Sequence, residues 1–247
     1  MGEELYLVGG YSGNHYDRGG GQPLILRRAM KKAFIFTLLF SLVILSLNLP
    51  ASITNGVSNA ARAIVMITYE VKQVNTFGEN YSDANRTGGV IISPTKVLTV
   101  AHLFDGVPAN GIITISFSDN KTKITDVKII KLDRKLDLVL LSIPSIPEET
   151  QPVEIASQVP ELGDDIFVIG FPSISLPVLR FIKYVEAPKG IFIFPAYYGD
   201  SGGGIFNLKG QLIGIMQSLM IVTTAETKQT TYFGYGTTLD KIKEFLK

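Results

Sequence analysis

Residues 199–204 read Gly-Asp-Ser-Gly-Gly-Gly, set between an apolar run ending at Tyr198 and the strand-like pair Ile205 and Phe206. A serine so placed sits on a sharp turn. Flanking glycines let the backbone approach a carbonyl and aim N–H groups at it, the arrangement that acyl transfer through an oxyanion requires. The plain alternative is a glycine-rich hairpin. The same residues also fit the G-x-S-x-G elbow, in which the acid and the histidine follow the serine. No histidine follows Ser201, which excludes that elbow and the α/β fold that carries it.

A serine hydroxyl is a poor nucleophile until a neighbouring base takes its proton, and an imidazole, which titrates near neutrality, is the usual base. The chain has two histidines, His15 and His102. His15 precedes a long apolar segment, so His102, which ends the β-type run at 96–101, is the base available. Alone it would read as a satisfied histidine at a strand end. A third group, a carboxylate, should hold the second ring nitrogen. Asp137 brings a charge to the head of the apolar run DLVLLSI. Asp133 competes, but no apolar strand follows it directly to bury it.

The elements that must position these groups are strands. Short β-type runs begin at Ala63, Gly88, Lys96, Ile112, Asp137, Asp165, Ile191 and Gln211, separated by turn residues and without long helices between them. That spacing predicts an all-β sandwich or paired barrels rather than a parallel α/β sheet. At the end, Leu239, Ile242, Phe245 and Leu246 recur at helical spacing behind Thr237 and Thr238, so a short C-terminal helix should pack on the sheets.

The first 32 residues have little apolar periodicity and a basic end at Arg27, Arg28, Lys31 and Lys32, and 1–32 reads as a disordered N-terminal segment. Residues 33–47 carry no charge, and 33–49 reads as an N-terminal hydrophobic helix, either a signal peptide or a transmembrane anchor. At about 1.5 Å per residue a helix of 33–47 falls short of a hydrocarbon core of about 30 Å, which favours the signal peptide, while the long segment before it points to an anchor, so both readings stand. Met30 opens MKKAFIF, like a signal-peptide start. The basic residues before the run place everything after Pro50 on the export side, periplasmic or extracellular. Residues 50–62 read as a linker.

Composition narrows the function classes. Lys+Arg 23 against Asp+Glu 22 gives a net charge of +1, without the basic surface that nucleic-acid binding needs. With no cysteine, disulfides, thiolate metal sites and a thiol nucleophile are excluded. Two histidines leave little for a metal site.

The order His102, Asp137, Ser201, with LTVAHLF, LDLVLLSI and GDSGGGIF around them, resembles the trypsin-like serine peptidases, and especially the disulfide-free bacterial HtrA/Deg type. AIVMITYEV looks like the opening strand of that type, TGGVIISPTKVLTVAH like its first barrel, and ELGDDIFVIGFPSI like the entry to its second. GQLIGI and FGYGTTLDKIKEFL are similar to its last strands and closing helix. The resemblance covers 63–247. It implies two six-stranded antiparallel β-barrels with a short C-terminal helix, and a serine endopeptidase acting on protein or peptide substrates without metal or organic cofactor. It implies Ser201 as nucleophile, His102 as general base and acid, Asp137 as orienting carboxylate, and the N–H groups of Gly199 and Ser201 as the oxyanion hole. Candidate substrate-pocket walls are Ala196, Gln217, Ser218, Leu219 and Gly234. Residues 190–199 hold no carboxylate before Ser201, so cleavage after a small or medium apolar residue is expected rather than after Lys or Arg. Tyr197 and Tyr198 are candidates for substrate contact, with burial in the barrel as the commoner fate of such aromatics. Analogy with the family also allows a homo-oligomer, and an uncleaved 33–49 would add membrane attachment.

The sequence departs from the family in three places. The Ile-Val-Gly-Gly start that trypsin-type activation frees is absent, leaving Asp200 without an evident partner. HtrA relatives commonly carry Asn at the position of Asp200 and Pro at that of Gly204. No PDZ motif follows the closing helix. Two other functions fit the same sequence: a peptide-binding pseudopeptidase without turnover, and a protease that cuts its own segment between Pro50 and Arg62.

Overall fold

Alternation of apolar and polar residues builds the first sheet. Along Ile64–Val74, Ile67, Tyr69 and Val71 are buried while Thr68, Glu70 and Lys72 are not, the period of two expected of a strand with one face on a core. The computed structural model describes residues 5–8 and 51–247, apart from short loop segments at 75–76, 78–79, 107–109, 119–120, 173–175, 188–189, 194–195 and 224–229.

In chain order the strands are β1 (Leu5–Val8), β2 (Ile64–Val74), β3 (Asn80–Ser93), β4 (Lys96–Thr99), β5 (Ile112–Ser116), β6 (Lys123–Ile124), β7 (Lys128–Asp133), β8 (Leu138–Ser142), β9 (Asp165–Gly170), β10 (Val178–Lys183), β11 (Glu186–Ala187), β12 (Gly190–Ile193), β13 (Gly204–Asn207), β14 (Leu212–Thr223) and β15 (Thr230–Gly236). The helices are α1 (Ala51–Arg62) and α2 (Leu239–Leu246).

Two curled antiparallel sheets result. The N-terminal one runs β6-β5-β2-β3-β4-β8-β7, and the C-terminal one runs β10-β9-β13-β14-β15-β12-β11 with β1 paired to β14. The expectation of two antiparallel β-barrels with a closing helix holds, with seven and eight strands among the described residues instead of six and six. The additions are edge pieces: β6 and β11 are two residues each, and β1 joins Leu5 to Val222 and Val8 to Leu219 from within the stretch read as disordered. The eight strands anticipated from apolar runs are all present. Two of the unanticipated ones carry charge: β7 is exposed along its length with Lys128 and Lys131 interleaved, as suits an edge strand, and β10 carries Arg180.

The segment read as a linker contains α1. Its Gly56 lies against the β13–β14 turn, where a Cβ would come 2.6 Å from the Leu208 carbonyl oxygen. The chain then enters β2 of the other sheet through the buried Ala63. The closing helix crosses in the opposite sense: Phe245 and Ile242 join the larger core cluster, which holds the N-terminal sheet's apolar residues together with Phe167, Phe206 and Ile215 of the other sheet, and Lys131 Nζ on β7 donates to the Phe245 carbonyl at 2.6 Å. Each sheet thus carries a helix from the far end of the chain, and the two are tied along a shared junction. The apolar run at 33–49 lies outside the described residues.

Candidate active site

His102 lies in the 3₁₀ turn Ala101–Phe104 directly after β4. Strand β3 holds this turn, since Asn85 Nδ2 donates to the Leu103 carbonyl at 3.1 Å. Asp137 ends the β7–β8 turn with φ of +52°, the one non-glycine in the left-handed region among the described residues. Such a conformation persists only where its surroundings over-determine it. Here they do: Asp137 Oδ1 accepts the backbone N–H of His102 at 2.9 Å, and Oδ2 lies 2.8 Å from His102 Nδ1. The first bond ties the carboxylate to the His102 backbone, and the second holds the imidazole by Nδ1 and leaves Nε2 for other work. Both side chains are 26% exposed, so the pair borders solvent. Asp133 instead accepts the N–H groups of Lys135 and Leu136 at 2.8 and 2.9 Å and caps the turn.

The serine turn belongs to the C-terminal sheet but is gripped by the N-terminal one. The Ser201 carbonyl accepts from the Gly88 N–H at 2.7 Å and from Thr87 Oγ1 at 2.5 Å, while Thr99 Oγ1 donates to the Gly88 carbonyl at 2.7 Å. This close approach requires glycine. Gly202 has φ of +74°, and a Cβ on it would collide with the Gly88 carbonyl; a Cβ on Gly88 would lie 2.8 Å from the Gly203 nitrogen. Asp200, Gly202 and Gly203 direct their N–H groups to the carbonyls of Tyr197, Met216 and Asp200. Those of Gly199 and Ser201 have no acceptor among the described residues, leaving two donors beside the serine.

Gln217 connects the two halves. The register of β14 against β15 shifts between Met216 and Ser218, so Gln217 sits in a β-bulge, a device that re-aims a side chain. Its carbonyl accepts the Ser201 hydroxyl at 3.0 Å, and its Nε2 donates to the Leu136 carbonyl at 2.5 Å. Through this one residue the serine and the Asp137 turn are joined. Tyr235, opposite Ser218 on β15, has its hydroxyl pKa raised above the usual tyrosine value, first by burial and then by the nearby charge of Asp137.

A shallow cleft of about 40 Å³ opens beside Ser201, lined by Tyr197, Tyr198, Gly199, Met216 and the segment 217–219. Of the expected pocket residues, Gln217, Ser218 and Leu219 line it; Ala196 is buried at 1% in the sheet core, and Gly234 sits in β15 opposite Leu219. Tyr197 and Tyr198 are 53% and 52% exposed, so the expectation of buried barrel aromatics does not hold and both stand at the cleft. Asp200 is 1% exposed and is ion-paired with Arg180 at 2.6 Å. Sequence reasoning passed over Thr87, Gly88, Asn85 and Arg180. The glycine pair 88–89 was the available signal for a close backbone approach; Arg180 gave none.

Two curled antiparallel sheets with a glycine-flanked serine turn and an Asp–His pair at their junction define the trypsin-like class of fold. A family model for the trypsin-like peptidase domain matches residues 87–215, more than half of the chain, and the chain belongs to that family. It is 26% identical over 152 residues to the serine proteases MT3772 and Rv3671c from two strains of Mycobacterium tuberculosis, covering 52% of this chain. The chain spans about a third of the length of those curated relatives, 34%. The crystal structure of the Rv3671c protease in its active form superimposes with a TM-score of 0.57 at 20% identity, covering 80% of this chain and 85% of that one. The inactive form of the same protease gives 0.57 at 21%, covering 80% and 94%. These likenesses establish the fold, at the level of the trypsin-like peptidases rather than of the HtrA/Deg branch.

Proposed function

We propose that this chain is a serine endopeptidase that cleaves peptide bonds through an acyl-enzyme. The observation that carries the proposal is Gln217, which bonds the Ser201 hydroxyl with its carbonyl and the turn of Asp137, the partner of His102, with its side chain. In this reading His102 Nε2 takes the Ser201 proton as Oγ attacks the substrate carbonyl, Asp137 stabilises the imidazolium, and the Gly199 and Ser201 N–H groups receive the oxyanion. The proton then passes to the leaving amine, and water releases the acyl group by the same route. Leu219 and the tyrosines at the cleft favour a substrate with an apolar residue before the scissile bond, with Gln217, Ser218 and Leu219 as its contacts. Ala196 and Gly234 support that wall from behind.

Export of 63–247, with 33–49 as signal peptide or anchor, and self-association are parts of the same proposal. Self-cleavage between Pro50 and Arg62 is not. Peptidases bind extended peptide, and α1 would have to unwind and leave its seat on the β13–β14 turn. The test is intact mass of the full chain after a fluorophosphonate, beside Ser201→Ala and His102→Ala. One adduct on the wild type that neither variant forms supports the peptidase. Folded wild type that takes no adduct overturns it in favour of a peptide-binding protein without turnover.

A further inference from the structure

Asp200 is a carboxylate buried to 1% exposure directly before Ser201, and a charge so placed is tolerated only when paired and hydrogen-bonded. Both of its oxygens are engaged. Oδ1 accepts from Arg180 Nη2 at 2.6 Å, and Oδ2 accepts the Tyr197 N–H at 2.8 Å. The main chain of Asp200 closes the same turn, its N–H donating to the Tyr197 carbonyl at 3.2 Å and its carbonyl accepting the Gly203 N–H at 2.9 Å. Arg180 also lies over the Tyr197 ring, 5.7 Å from its centroid. Its side chain is 13% exposed. The space for the carboxylate is provided by Gly170 at the end of β9, where a Cβ would come 2.5 Å from Asp200 Oδ1. Arg180 faces it from β10, paired with Val168 of β9.

We infer that Arg180 is the built-in counter-ion that sets the 197–203 turn, so that the Gly199 and Ser201 donors are in place without a newly cut amino terminus. Arg180 is a positioning residue: it acts on the reaction only through Asp200 and the turn. The start of the trypsin-like domain agrees with this. Ala63 is fully buried and is joined through Ala60 to α1, which packs against the β13–β14 turn, so no free amine is presented there. A guanidinium stays charged at every pH the fold survives, whereas an α-amine, which unpaired titrates at about 7.7–8.0, is the cation more readily lost as pH rises.

The inference rests on the peptidase reading, and its test separates the two. Full-length wild type, Arg180→Ala, Arg180→Lys and the double variant Arg180→Met/Asp200→Asn are compared in two measurements. The first is amide exchange by mass spectrometry over the peptides spanning 196–204. The second is the rate of fluorophosphonate labelling, with the N-terminal mass recorded on the same sample. Expected are uncleaved wild type that labels, exchange at 197–203 that quickens at least tenfold in Arg180→Ala while β13 and β14 stay protected, and labelling slowed about 10²–10³-fold, the scale of a lost oxyanion donor. Added guanidinium should restore part of the Arg180→Ala rate. The double variant leaves no buried charge; it should melt near the wild type yet still label slowly. Unchanged exchange at 197–203 in Arg180→Ala, or labelling of wild type only after N-terminal cleavage, overturns the inference. Quickened exchange in Arg180→Ala beside a wild type that never labels removes the peptidase reading and leaves Arg180 as the counter-ion of the turn.

Discussion

The side-chain amide of Gln217, in the C-terminal sheet, donates to the carbonyl of Leu136, in the β7–β8 turn of the N-terminal sheet, at 2.5 Å. The bond braces the residue before Asp137, whose left-handed backbone would otherwise relax, and it does so from a strand position that also holds the Ser201 hydroxyl. Replacing Gln217 with Leu keeps the volume and removes the donor. We expect kcat/KM on an apolar peptide substrate to fall at least tenfold, and stability to fall by about 1–2 kcal/mol from the stranded carbonyl. Steady-state kinetics and denaturant melts read both. A Leu variant with wild-type kinetics would show that the bulge, not the amide, aligns the junction.

Asp137→Asn preserves shape but offers His102 Nδ1 an amide in place of a carboxylate, with no charge to stabilise an imidazolium. Turnover should drop by about 10⁴-fold with KM nearly unchanged. A raised KM with turnover unchanged would instead assign Asp137 to substrate binding.

Gly202→Ala meets a positive φ and the Gly88 carbonyl at once. The substitution should cost at least 2 kcal/mol, roughly the scale of named backbone clashes, and should weaken the grip of β3 on Ser201. A thermal melt within a degree of the wild type would contradict the close packing of these two turns.

Gly56→Val tests whether α1 is seated on the β13–β14 turn. Its side chain would enter the space of Leu208 and Lys209, and overpacking of this kind typically costs about 1–3 kcal/mol. The same substitution at the exposed Ser58, on a different face of the helix, should cost well under 1 kcal/mol; equal effects at the two positions would argue against the docked helix.

Tyr235 has a raised hydroxyl pKa, from burial first and from Asp137 second. The folded value therefore exceeds the unfolded one. The neutral hydroxyl's contribution to stability is complete below the ordinary tyrosine range and is lost as pH rises through the higher folded value. Tyr235→Phe should flatten the alkaline fall in stability, and Asp137→Asn should bring the Tyr235 titration back toward the ordinary range. Ring-labelled tyrosine NMR measures that titration directly; an unmoved titration in Asp137→Asn would mean the carboxylate lies too far away to act.

How much was legible follows from how local each determinant is. The eight apolar runs, the closing helix with Leu239, Ile242 and Phe245 inward, and the serine turn are written in neighbouring residues, where alternation, helical spacing and glycine act directly on the backbone. The choice of His102 followed from composition, and Asp137 was preferred because an apolar strand follows it. The left-handed turn that aims its carboxylate at the backbone N–H and Nδ1 of His102 has no sequence mark. Arg180 could not be found by pattern at all. Within VLRFIK it reads as the polar position of an edge strand, and only the folding of the β9–β10 hairpin behind the serine turn brings it to Asp200, twenty positions along the chain. The sequence by itself thus determined which residue types were available for acyl transfer and which segments would be strands. The tertiary structure decided their partners: Gln217 bridging the sheets, Thr87 and Gly88 gripping Ser201, and Arg180 neutralising Asp200. These are contacts between strands distant in sequence, and only packing brings them within hydrogen-bond range.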